Sequence, residues 1–467
     1  MAQQRQQQGN EGGTRISLFH HIATRDGSLT KDSKLVNMFG EASETGNASV
    51  KRPGTSLVRA TASGTSQGLF RVSGGAWAIQ NDTLYNVGTG ATISIPSVTT
   101  HGQPYDCLSD APYGTSLLKS PSGLWKFNGT TCTKVTDTNY PATTVSGITY
   151  LDGTYYVMAS DGTVRGSVLQ DPLTWPALSF LGADSSLGLG TAVSRHLNYI
   201  VAYYQDGVQF YYDAGNSPGI ALGIVGNAMW RTGCPNGASI VETNDLTFYL
   251  SKSSNRGRSV TQFNGLTPVI ISNPFVDRIL NRSSLAGLRA FSLKTSGHTF
   301  YILTLPDIDI TLACDVITGE WAQWTSTVGG VEQAFTAVSC VSTATQDLLQ
   351  DSTSGAVVAM DTTTYSDLTG PIAARIVTPE FSWGSPKRKR YAAVFLVADT
   401  TPSTASLRYS DDDYTTFSSW RSIDLSTVRK MLQRLGSGRR RSWELLHTAA
   451  TPLRVYQLEM ELSVGFA

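Results

Sequence analysis

The chain has 467 residues, 36 Lys plus Arg against 36 Asp plus Glu, 44 Gly and five Cys, and only 15% of it is charged. That length exceeds one ordinary core and calls for several domains or one large repetitive architecture. Zero net charge excludes a protein built as a whole for tight, non-specific nucleic-acid binding and leaves room only for a local basic patch.

Residues 1–13 are Gln-rich and polar, with no apolar stretch that would mark a secretory signal. Residues 1–24 therefore read as a flexible N-terminal arm. Residues 25–60 carry few strand-like apolar positions and dense turn chemistry, Asp26-Gly27 and Pro53-Gly54, and read as an extended entry segment.

From Leu69 a cadence begins. Leu69 to Val72 runs to Gly74-Gly75, then Ala76 to Ile79, then Asn81-Asp82, then Leu84-Tyr85. Similar strand, turn, strand groups recur at residues 116–135, 153–168, 199–212, 246–271, 298–324 and 348–360. Their starts are roughly 40 to 50 residues apart, the period of a propeller blade. Each group alternates aromatic or β-branched positions and turns on Gly, Asn or Asp. One hairpin cannot bury its own face, whereas a ring of six or seven can. The expectation is a mainly β chain, with a six- or seven-bladed β-propeller over residues 61–370. One helix interrupts it: Asn273-Pro274 caps a segment in which Val276, Ile279 and Leu280 share a face.

Pro371, Pro379 and Pro386 break the cadence, and residues 371–467 read as a β-sandwich-like C-terminal module. Its stretch R-Y-S-D-D-D-Y-T-T-F-S-S-W, residues 408–420, alternates and then turns on three aspartates, as a hairpin tip does. Ser410, Asp412, Thr416 and Phe417 resemble the Asp-box of sialidases, with Tyr414 where the box has Gly; that box is a folding element and not a catalytic one. Val428, Met431, Leu432 and Leu435 predict a second helix over residues 426–435. A basic, glycine-broken tongue then precedes the closing strand of Leu453, Val455, Leu458 and Met460.

Chemistry-bearing patterns are sparse. Cys107, Cys132, Cys234, Cys314 and Cys340 are widely spaced with no C-x-x-C, which argues against a disulfide framework or zinc site and for buried thiols in a reducing compartment. No run of 18 apolar residues occurs, so no membrane insertion is expected. His20-His21 would alternate faces, and His298 opens an apolar strand. No hydrolase, metalloprotease or nucleotide-binding signature is present, so neither an enzyme, a catalytic residue, a metal nor a cofactor is expected. The basic residues Lys387, Arg388, Lys389, Arg390, Arg429, Lys430, Arg434, Arg439, Arg440 and Arg441 cluster in the C-terminal module and read as an oligomer or partner interface. Replacing Arg439, Arg440 and Arg441 with Ala is expected to leave the subunit folded.

Several stretches, in order, resemble one family. They are R-D-G-S-L-T-K-D-S-K-L-V-N with K-R-P-G, then I-S-N-P-F-V-D-R-I-L, G-H-T-F-Y-I-L-T-L-P and C-D-V-I-T-G-E-W-A-Q-W, and finally S-D-D-D-Y-T-T-F-S-S-W with R-L-G-S-G-R-R-R-S-W-E-L. Together they look like the tail hub, or nozzle, proteins of short-tailed bacteriophages, also called packaged-DNA stabilisation proteins. The resemblance implies a structural homo-hexameric ring in the virion tail, assembled in the host cytoplasm. It would sit below the portal and its adaptor ring, extend and close the DNA channel, and dock needle, fibre or tailspike proteins. Double-stranded DNA would pass through without sequence-specific binding. The other reading is a glycan-binding or sialidase-like propeller, which would need repeated Asp-boxes.

Overall fold

The computed structural model describes residues 14–18, 33–43, 46–182, 185–216, 219–243 and 245–465. The first part of the expected arm (residues 1–13), the His20-His21 pair and residues 25–32 of the entry segment lie outside them. The chain divides into two compact units: residues 56–309 with 336–360, and residues 1–55 with 310–335 and 361–467. Residues 310–335 and 361–370, inside the span read as propeller, group with the second unit in this division.

The first unit is a succession of antiparallel strand groups. Five are complete four-stranded sheets of consecutive strands, opening with Ser66–Val72, Asp106–Ala111, Thr149–Leu151, Gly190–His196 and Val241–Thr243. The hairpin Arg289–Thr295 with His298–Leu305 follows, then the strands Ala337–Ser342, Asp347–Asp351 and Val357–Asp361. Sequence alternation dictates this local structure, and burial between neighbouring groups stabilises it. Phe70, Trp77 and Leu84 of the first group meet Leu118, Trp125 and Phe127 of the second. Trp77 and Phe127 pack edge to face at 4.9 Å. Leu117 and Leu124 meet Tyr155 and Val157 of the third. The second strand group is therefore apolar on both faces, and it shares a slab of core with each neighbour.

The succession closes on itself. Leu69 and Ala78 of the first group pack on Val341, Leu348 and Val357 of the last. Gln350 accepts from the Gly68 N–H at 3.0 Å and donates to the Ile79 carbonyl at 3.0 Å. The strand Gly54–Arg59 adds to the outer edge of that last group, so an early strand completes a late sheet. This radial, closed arrangement is a β-propeller. The helix stands where the sequence places it, Pro274–Arg282, with the Asn273 side chain accepting the Val276 N–H at 3.0 Å.

In the second unit the long strands Lys389–Ala398 and Arg454–Val464 pair along their lengths. Thr14–Ser17 and Gly46–Lys51 pair on the far side of Arg454–Val464. Another sheet runs Trp321–Val328, Lys34–Val36, Ala374–Val377, Ser442–His447, Thr404–Ser410 and Arg421–Asp424. Tyr391 of one sheet meets Trp443 of the other, ring centres 6.2 Å apart. Arg52 is buried between segments far apart in sequence. Its guanidinium holds Asp367 at 2.9 Å and the Asn37 side chain at 2.9 Å, and it lies over Trp324 and Phe335.

The second predicted helix is absent. Residues 426–429 form a bend, and Met431–Gln433 is a strand paired with residues 393–395. Lys430 and Leu432 turn inward with a period of two, while Val428 stands 96% exposed. Asp424 accepts the Ser426 N–H and hydroxyl, a turn that diverts the chain before a helix can start.

Candidate functional site

A concave place that bears polar side chains is found in each unit. The first is the bore of the propeller, a cavity of about 710 Å³ to which the first strand of every group contributes. Cys107, Asp106 and Asp110 come from the second group, Arg195 from the fourth, Glu242 from the fifth, Arg289 from the sixth and Cys340 from the last.

Charges of both signs line it. Asp106 accepts Lys119 Nζ at 2.7 Å and the Gly147 N–H at 2.8 Å. Arg71 pairs with Asp110 at 2.9 Å and donates to the Ser342 carbonyl at 2.6 Å, tying the first group to the last. Glu242 accepts the Arg195 N–H at 2.9 Å. Its side chain is accessible from the lumen but is ringed by protein, and this desolvation pushes its carboxyl up to about 7, against the pull of Arg195. Burial draws Arg289 below the usual guanidinium range, and its guanidinium has no partner among the described residues. Burial pushes the thiols of Cys107 and Cys340 upward, Asp106 and Asp347 adding to it, so neither is the thiolate that a nucleophile requires. No group of three metal-ligating side chains occurs among the described residues. What the bore offers is a small, mixed-charge lumen.

The second place is in the other unit, a concavity of about 920 Å³ bordered by Arg388, Arg390 and Arg434 over Ala392, Gly436, Ser437 and Ser463. The ten basic residues singled out in the sequence fall into two classes here. Lys387, Arg388, Arg390, Arg429, Arg434, Arg439 and Arg440 are exposed. Arg429 lies over Phe395, and Arg440 reaches Glu380 at 3.1 Å. Lys389, Lys430 and Arg441 are buried. Lys389 Nζ donates to the carbonyls of Ser385, Lys387 and Arg439 at 2.5–2.9 Å, and Lys430 Nζ reaches Thr400 at 3.2 Å. Arg441 holds Asp411 with two bonds of 2.7 Å and sits between Tyr391 and Tyr409 at 3.9 and 3.7 Å. These three hold the unit together and present nothing to a partner. The expectation that Arg439, Arg440 and Arg441 could be removed together at little cost is corrected at Arg441.

The triple aspartate is likewise committed within the chain. Asp411 binds Arg441, and Asp412 accepts from Ser410 at 2.9 Å, from the Thr416 N–H at 2.9 Å and from the Thr416 hydroxyl at 2.5 Å. Sequence reasoning missed the bore residues and the Arg52–Asp367 pair. In the K-R-P-G stretch Lys51 and Arg52 are both buried, and a Cβ on Gly54 would meet the Ser366 carbonyl oxygen at 2.0 Å.

Comparison with known proteins gives a family match. The family model described as bacteriophage P22 Gp10, beta-propeller, a phage stabilisation family, matches residues 22–365. No curated protein matches the chain. Similar solved structures include BamB from Moraxella catarrhalis, 12% identical, covering 69% of this chain and 94% of that one with a TM-score of 0.38. The Neurospora crassa Pan2 WD40 domain is 8% identical, covering 66% and 96%, with a TM-score of 0.41.

Proposed function

Since the chain belongs to the bacteriophage P22 Gp10 β-propeller family of phage stabilisation proteins, we propose that it is a structural virion protein of the tail nozzle. In this reading six copies form a ring below the portal and its adaptor ring. The ring extends and closes the DNA channel, retains packaged DNA until ejection, and docks needle, fibre or tailspike proteins. The observation that carries the reading is the family match, which spans most of the propeller. The inert thiols favour a role without turnover. The glycan-binding reading gains no comparable support, because the one Asp-box lies in the second unit and outside the propeller.

The test is DNA retention. Particles assembled without this protein are expected to package DNA and then release it to nuclease, and added protein is expected to restore protection. Filled particles that stay nuclease-resistant without it would overturn the reading.

A further inference from the structure

Among the described residues, Asp106, Asp110, Arg195, Glu242 and Arg289 are the charged ones that line the bore of the propeller. Four of them are answered within the chain. Asp106 holds Lys119, and Asp110 holds Arg71. Arg195 donates to the Leu197 carbonyl at 2.7 Å and to the Asn198 side chain at 3.2 Å, and Glu242 accepts the Arg195 N–H. Arg289 has no ion pair and no hydrogen bond among the described residues. Its guanidinium stays charged at neutral pH. Burial disfavours that charge, and no carboxylate acts against the burial.

The walls beside Arg289 leave room for a counter-charge. The short turn Gly237–Ser239 packs beside the strand Arg289–Thr295. It brings Gly237 and Ala238 to the lumen, and neither has a side chain that could answer a guanidinium. The strand Ala337–Ser342 also packs along Arg289–Thr295 and lines the same lumen with Ser339. The Ser339 hydroxyl is buried and, like Arg289, has no partner among the described residues. A lumen of about 710 Å³ has the size of a small-molecule site, about 300–1,000 Å³.

We propose that the bore binds a small molecule that carries an oxyanion, a carboxylate or a phosphate, on the Arg289 guanidinium. The planar fork of an arginine takes two oxygens of such a group at once. The Ser339 hydroxyl, on the neighbouring inner strand, is a second donor. The ligand thus joins the sixth strand group to the last and stabilises the folded ring by mass action. A small anion is favoured over nucleic acid because the surplus is a single charge. Asp106 and Asp110 stand in the same lumen, so a phosphate backbone finds no basic track there. The proposal goes beyond the nozzle reading and does not depend on it.

The experiment uses the full chain and three probes at matched ionic strength: inorganic phosphate, succinate, and the uncharged diamide of succinate. At least one of the two anions is expected to bind with a Kd of about 1 mM by calorimetry and to raise the thermal midpoint, while the diamide does neither. The two anions tell a phosphate source from a carboxylate source. R289Q is expected to weaken the binding by about tenfold or more, the loss of a charge-assisted pair. Without ligand, R289Q should melt no lower than the parent, since the guanidinium it removes is unanswered in the fold. The parent gives an independent readout: in crystals soaked with selenate, a stand-in for phosphate, the anomalous peak is expected within hydrogen-bond distance of the Arg289 guanidinium. Failure of both anions to bind, binding by the diamide as tight as by succinate, unchanged affinity in R289Q, a marked loss of ligand-free stability in R289Q, or selenate bound only elsewhere would each overturn the proposal. None of these outcomes bears on DNA retention by particles, so the two readings fail separately.

Discussion

Adjacent arginines in the basic tongue have opposite fates. Arg441 is clamped between two tyrosine rings and paired with Asp411, while Arg439 is exposed with its carbonyl holding Lys389. R441A is expected to destabilise the chain by about 3 kcal/mol, because it strands a carboxylate and empties an aromatic slot. R439A should stay within about 0.5 kcal/mol. Urea unfolding of the two single variants checks both figures. His447 makes a different residue-scale prediction. Burial, helped by the neighbouring Lys51 charge, holds its imidazole down to about 4, and Nε2 lies 3.2 Å from the Ser403 hydroxyl. The unfolded chain takes up this proton near pH 6.5 and the folded chain only near 4. Stability therefore falls as pH drops from about 6.5 to 4, and this group adds no further loss below that, up to about 3 kcal/mol in all. Thermal melts across that range should show the slope in the parent and a flatter one in H447Q.

At the scale of elements, the Asp-box turn shows how one side chain can outweigh its backbone. Tyr414 takes φ +63° where a glycine would sit without strain. Its ring is buried, its hydroxyl donates to the Thr378 carbonyl at 2.9 Å, and its N–H donates to the Ser410 hydroxyl at 3.0 Å. Y414G would relieve about 1 kcal/mol of backbone strain and lose about 3 kcal/mol of ring burial. A net loss of about 2 kcal/mol is expected, and a stabilised Y414G in the same unfolding assay would refute the account. The misread helix over 426–435 belongs to this scale too. The apolar positions fit a period of 3.6, whereas in the structure Lys430 and Leu432 point inward and Val428 is exposed. Nothing in the sequence marks that lysine as buried, because its partner Thr400 lies thirty residues away.

For the whole molecule, the proposed ring makes a prediction about mass. Native mass or sedimentation of the purified chain, or of tails that contain it, should show six copies of a 50.2 kDa chain, about 301 kDa. A strictly monomeric protein both free and in tails would contradict it. The closed propeller also depends on sequence-remote contacts. The strand Gly54–Arg59 completes the last group, so a chain cut within that strand is expected to lose the stability of the last group first, read as early hydrogen exchange at residues 347–361.

The sequence by itself determined the repeating strand groups, their turns, the capped helix and the absence of hydrolase, metalloprotease and nucleotide-binding signatures, because alternation, glycine and capping residues act over a few neighbours. It also carried, in the order of its short stretches, the resemblance that the family match supports. Tertiary structure alone decided which charges face water. Nothing in the sequence separates Lys389, Lys430 and Arg441 from Arg388, Arg429 and Arg439, yet they are buried on partners thirty to fifty residues away. It alone brought Arg52 to Asp367 and residues from seven strands into one bore. The physical reason is the same in each case: burial and pairing are set by what lies opposite in space, and a strand's register with a distant partner is not written in its own residues.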